Sequence, residues 1–182
     1  MSTNARYIVL IAGILGVLGL FQPLMKVGRY KLRTELSAYE LSFGLSRTHK
    51  ALDTKLPFVV EMKIPADIRD ARDDIKIIMD ASKNAALAYI PAAMLLLIGA
   101  YATWRKRLNR PLAALCVLFG LASAAAYVGL KYGIAYGEQE EPILKRVSIE
   151  LLIGAKILLA GGLAAVVAGL AALVHPNPVP KS

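Results

Sequence analysis

Lys131 and Lys156 stand inside long apolar runs, where an ammonium group is costly enough in hydrocarbon to mark a functional position unless its stem carries it to the interface. If the apolar runs cross a bilayer, the run holding Lys131 travels outward and the run holding Lys156 returns, so each lysine lies about two helical turns from the outer boundary. Glu150, Glu138, Glu140 and Glu141 are close in sequence. The pattern fits an outer-leaflet site in which Lys131, Glu150 and Lys156 form ion pairs or hold an anionic lipid head group. The alternative is snorkelling of both ammonium groups to the interface.

No other constellation suits catalysis. Cys116 is the single cysteine, which excludes an internal disulfide, a thiolate metal cluster and chemistry that needs cysteine pairs. His49 lies in a charged segment and His175 at the end of an apolar run, so no histidine pair can clasp a haem or metal within a bilayer. Asp67, Asp70, Asp73, Asp74 and Asp80 resemble a carboxylate cluster, but Arg69, Arg72, Lys76 and Lys83 interleave with them at helical spacing, as on a salt-bridged wet face. No G-x-S-x-G elbow and no phosphate-binding loop occurs. The expectation is a protein that is not an enzyme, with no catalytic residue, no cofactor and no metal.

Small residues form the other pattern. Gly161, Ala165 and Gly169 recur at four-residue spacing beside a second stripe of Ala160, Ala164, Ala168 and Ala172. Ala125, Gly129, Gly133 and Gly137 do the same in the preceding run, and Ala12, Gly13, Gly16 and Gly19 crowd the first. Lipid offers no hydrophobic drive for helix association, so close approach through small residues is how spans pack. The faces Gly129, Gly133, Gly137 and Gly161, Ala165, Gly169 either close the chain's own bundle or dock another protein.

The elements that must carry these residues follow from composition. The 182 residues are 57% hydrophobic and only 19% charged, with apolar runs long enough for membrane spans of about 20 residues. Four runs qualify: 7–25, 85–104, 111–137 and 149–174. Leu20-Phe21-Gln22-Pro23-Leu24-Met25 lacks the small-x-small pattern of a signal-peptidase site, so the first run reads as an uncleaved span. Pro91 is expected to kink the second. The 105–110 loop holds four basic residues and no acid, which places it, Arg6 and the 175–182 tail on the cytoplasmic side. Every acidic residue falls in 26–84 or 138–150, and the short 138–148 loop and the long 26–84 segment face outward. The net charge of +9 is largely this sorting, so no nucleic-acid partner is expected. Strands are expected over 28–32, 36–43 and 57–64, followed by an amphipathic helix over about 66–84 that runs on into the second span as a rod of ~58 Å.

One span, a long outer segment with strand-like runs, a short basic inner loop, two spans joined by a small outer loop and an inner tail together resemble the claudin-type tetraspan plan. The resemblance is one of layout. The only tryptophan is Trp104 and the only cysteine Cys116, so the Trp and paired-Cys signature of the first outer loop is missing and no residue roles carry over. It implies an outer sheet resting on a four-helix bundle. The fold class expected is a mainly α membrane protein, a four-transmembrane-helix bundle with a small extracytoplasmic α+β domain. The function expected is a scaffold, assembly or adhesion subunit whose partners are membrane lipids and another membrane protein or further copies of itself; the alternative is a channel or transporter formed by oligomerisation. Compact loops without outer cysteines suggest a bacterial inner membrane, with the long loop periplasmic.

Overall fold

The computed structural model describes residues 2–29, 32–43, 77–78, 84–140 and 148–174. The chain is mostly helical with a small three-stranded sheet: α1 (Ser2–Gly19), β1 (Pro23–Arg29), β2 (Leu32–Ser37), α2 (Ala38–Phe43), a 3-10 turn (Ala85–Tyr89), α3 (Ile90–Trp104), α4 (Arg110–Glu140), β3 (Ser148–Leu151) and α5 (Ile153–Val174). Three helical stretches, Ala85–Trp104, Arg110–Tyr136 and Ile153–Val174, are long and apolar enough to cross a membrane, while the apolar stretch of α1, Asn4–Gly19, is shorter.

The helical run expected over 7–25 stops at Gly19, because Gln22-Pro23 breaks it and Leu24 and Met25 enter β1. The strand expected over 36–43 is the end of β2 followed by α2, and the run 28–32 spans the end of β1 and the start of β2. The expected strand 57–64 lies outside the described residues. Of the expected helix over 66–84, Ile77 and Ile78 are described; both are helical, with Ile78 buried and Ile77 exposed. That helix does not run unbroken into the second span, since Asn84 is in a turn and 85–89 is 3-10. Pro91 falls in the first turn of α3, directly after the change from the 3-10 turn, where its missing N–H is no loss. The last apolar run begins as β3, and its helix starts only at Ile153.

The chain divides into two units. One comprises Met1–Gly19, Ala88–Gly129 and Lys156–Ser182; the other comprises Leu20–Leu87 and Leu130–Ala155.

In the first unit the core is built mainly of small and aliphatic side chains, including Ala5, Val9 and Ala12 of α1, Leu95, Ile98 and Ala102 of α3, Ala113 and Cys116 of α4, and Ala165, Ala168 and Ala172 of α5. Large side chains such as Ile11, Leu97, Leu118 and Val167 are exposed instead. Small inside and large outside is what packing in lipid favours.

In the second unit β1 is the central strand, antiparallel to both β2 and β3. Met25 lies opposite Leu36 and Leu151, and Val27 opposite Ile149, forming an apolar face; Lys26 lies between Glu35 and Glu150 on the other. A register irregularity between Pro23 and Met25 lets Leu24 and Met25 both be buried although adjacent. α2 starts with a reciprocal cap. The Ser37 Oγ accepts the Glu40 N–H at 3.1 Å, and a Glu40 carboxylate oxygen accepts the Ser37 N–H at 3.0 Å. Ser37→Ala is expected to cost about 1 kcal/mol, read as a shift in the midpoint of denaturation. Ser42 Oγ then accepts the Ala86 N–H at 2.8 Å, fastening α2 to the 3-10 turn.

Candidate functional site

Lys131 lies exposed on α4 and Lys156 exposed near the start of α5. Glu150 is on β3, with Lys26 as its register partner. Lys26 forms an ion pair with Glu35 at 3.7 Å, and among the described residues no ion pair or hydrogen bond joins Lys131, Glu150 and Lys156. The sheet therefore supplies Glu150 with a cationic neighbour that sequence proximity did not suggest.

The small-residue faces separate sharply. On α5, a Cβ at Gly161 would meet the Ala12 carbonyl oxygen at 3.3 Å, Ala165 is fully buried, and a Cβ at Gly169 would lie 2.8 Å from the Ala113 oxygen. That face is used within the unit, against α1 and α4. Gly13 of α1 meets the backbone of Leu96, and Gly99 of α3 meets the backbone of Leu10. Gly120 and Gly162, which spacing did not single out, are the tightest crossing of α4 and α5. A Cβ on Gly162 would lie 2.6 Å from the Gly120 oxygen, and one on Gly120 would lie 2.7 Å from the Gly162 oxygen. Beside them the buried Ser123 hydroxyl donates to the Leu158 carbonyl at 3.0 Å. Gly120 with Ser123 and Ala124 is itself a small-residue signal at i, i+3 and i+4. Gly129 and Gly133 of α4 behave differently, since an added Cβ there meets nothing within 4 Å among the described residues. Gly137 continues the same stripe in α4. Exposed Tyr132 and Tyr136 stand on the same stretch of helix.

No family model, curated protein or solved structure matches the chain. Its possible roles must therefore come from its own geometry.

A second feature lies at the α3–α4 turn. The N–H of Arg107 reaches the Ala102 oxygen and the N–H of Lys106 reaches the Thr103 oxygen, both at 3.1 Å, closing the end of α3. Lys106 occupies the left-handed position, φ 54°, that glycine takes without strain. Arg105 lies over the rings of Tyr101 and Trp104, at 5.7 and 5.9 Å. Arg6 of α1 is buried, which its place near the start of an apolar run did not announce. Among the described residues no group of three or more His, Cys, Asp or Glu side chains gathers as a metal site would require.

Proposed function

We propose that this chain is a non-enzymatic membrane subunit that docks a transmembrane helix of another protein on the Gly129–Gly133 face of α4. The observation that carries the reading is the contrast among glycines. Gly13, Gly99, Gly120, Gly162 and Gly169 each bring two backbones together, whereas among the described residues nothing lies within 4 Å of a Cβ added at Gly129 or Gly133. Glycine lowers helix stability by up to about 1 kcal/mol relative to alanine, so unused glycines in a helix ask for a second helix that uses them.

The membrane part of the proposal rests on the three helices of spanning length. α1 is read as a fourth crossing because it packs through Gly13 and Gly16 onto α3 and through Ala12 onto Gly161 of α5, and is apolar throughout from Tyr7. Its apolar stretch Asn4–Gly19 spans about 24 Å, short of the hydrocarbon thickness of about 30 Å, and Leu20 and Phe21 extend the apolar run. The basic α3–α4 turn and both termini are placed in the cytoplasm and the sheet-bearing segments outside, in a plasma membrane of bacterial inner-membrane type, on a claudin-like plan.

The test is affinity purification in mild detergent of the wild type and of Gly129→Leu/Gly133→Leu. The double variant is expected to keep the wild-type thermal midpoint and to lose a co-purifying membrane protein by about tenfold or more, since bulky side chains forfeit close backbone contact. Retention of the partner by the double variant, or a lone chain with no partner, sinks the docking reading. A homo-oligomer that conducts ions in liposomes would replace it with a channel.

A further inference from the structure

We propose that Arg6, Thr103 and the basic α3–α4 turn bind the phosphate of an anionic phospholipid head group. This rests on the membrane reading above and is independent of the docking face.

Arg6 is only 8% exposed, and its Nε makes no hydrogen bond among the described residues. One guanidinium nitrogen donates to the Tyr7 hydroxyl at 3.2 Å, and the guanidinium carbon stands 4.8 Å from the Tyr7 ring centre. Neither contact supplies negative charge. The unit that contains Arg6 holds seven basic residues and no aspartate or glutamate, because all 13 acidic residues of the chain belong to the other unit. A buried guanidinium needs an anion, and this unit has no carboxylate side chain to offer.

The helix register places Arg6 relative to α3. α1 and α3 run antiparallel with Gly13 on Leu96 and Leu10 on Gly99, which brings Arg6 level with Thr103. The Thr103 hydroxyl is likewise buried and, among the described residues, without a hydrogen-bond partner. Arg105, Lys106, Arg107 and Arg110 follow directly, all exposed. α4 also begins here, with the Asn109 carbonyl accepting the Ala113 N–H at 2.9 Å, so the positive end of its dipole adds to the field. Lys106 occupies a backbone position that favours glycine and adds one more cation to the turn.

A guanidinium, a hydroxyl donor and flanking cations suit the several acceptor oxygens of a phosphate. Lipid is favoured over a free phosphate as its source. Trp104 is 78% exposed, and Tyr7, Ile8 and Tyr101 are exposed on the neighbouring turns, a surface for acyl chains and interfacial rings that a soluble anion would leave uncovered.

The full chain, delipidated in mild detergent, is titrated with phosphatidylglycerol, phosphatidylcholine or inorganic phosphate, with retained lipid counted by native mass spectrometry and the thermal midpoint followed. Wild type is expected to retain phosphatidylglycerol and rise in midpoint. Arg6→Gln, folded without lipid, should weaken that binding by about tenfold or more. Lys106→Gly relaxes its own backbone position, so it remains a folded control, and should weaken binding about fivefold. Equal retention by wild type and both variants overturns the site. So does equal binding of phosphatidylcholine. If inorganic phosphate reproduces the whole gain, or if a protein released by Arg6→Gln is found in place of lipid, the lipid assignment is overturned.

Discussion

Gly162→Val is expected to destabilise the chain by about 3 kcal/mol or more, at or above the upper end of the usual cost of overpacking. A Cβ at this position would lie 2.6 Å from the Gly120 oxygen and 2.9 Å from the Ala124 nitrogen, both backbone atoms that cannot swing aside. Carbon approaches a carbonyl oxygen no closer than about 3.3 Å, so α4 and α5 must separate by roughly 0.7 Å. A gap of that size forfeits a quarter to a half of the dispersion attraction along the contact. It also stretches the Ser123–Leu158 hydrogen bond, now 3.0 Å, out of range. Valine's two methyl groups and stiff χ1 add to the cost. Gly129→Val, on the same helix as Gly120 but in open space, should change stability by no more than about 0.5 kcal/mol. Denaturation of both variants in mixed micelles measures the difference. Equal midpoints would mean that α4 and α5 do not cross at Gly120 and Gly162.

The second large effect concerns the sheet. Leu36→Ala is expected to cost about 2–5 kcal/mol, the range for truncating a buried leucine. Leu36 is fully buried opposite Met25, itself opposite Leu151, so its removal leaves a hole in a rung that all three strands share. Glu35→Ala, on the opposite face, breaks a Lys26 ion pair whose members are 32% and 53% exposed and should cost under about 1 kcal/mol. Hydrogen exchange of the β1 amides reports this unit directly. Faster exchange in Glu35→Ala than in Leu36→Ala would reverse the assignment of the two faces.

The three long helices were legible in the sequence because a row of about 20 apolar residues suits a membrane span and little else. Their ends were harder to read, since strand residues buried on a sheet and helix residues facing lipid are equally apolar. Leu24 and Met25 merged with the first run in this way, although Gln22-Pro23 was the break. Ser148-Ile149-Glu150-Leu151 alternates polar with apolar as a strand should, but its apolar half was absorbed into the last run. α2 was announced by Ser37 and Glu40 at capping-box spacing, a signal masked by the aromatic and β-prone look of 36–43. For the candidate sites, spacing found Gly161, Ala165 and Gly169 but could not say which glycine stripe already had a neighbour. The burial of Arg6 depends on the register of α1 against α3, which no local pattern encodes.

The pairing of β1 with β3 has a consequence for biosynthesis. Met25 and Leu151 are register partners although they lie 126 residues apart along the chain, a long-range contact that must wait for the later segment. At elongation rates of about 5–20 residues per second that wait is on the order of ten seconds. During it β1 can pair with β2, but its other edge remains an unfilled template for any strand nearby. A nascent or truncated chain ending before Ser148 therefore leaves open the edge of β1 that the four-residue strand β3 covers in the finished sheet.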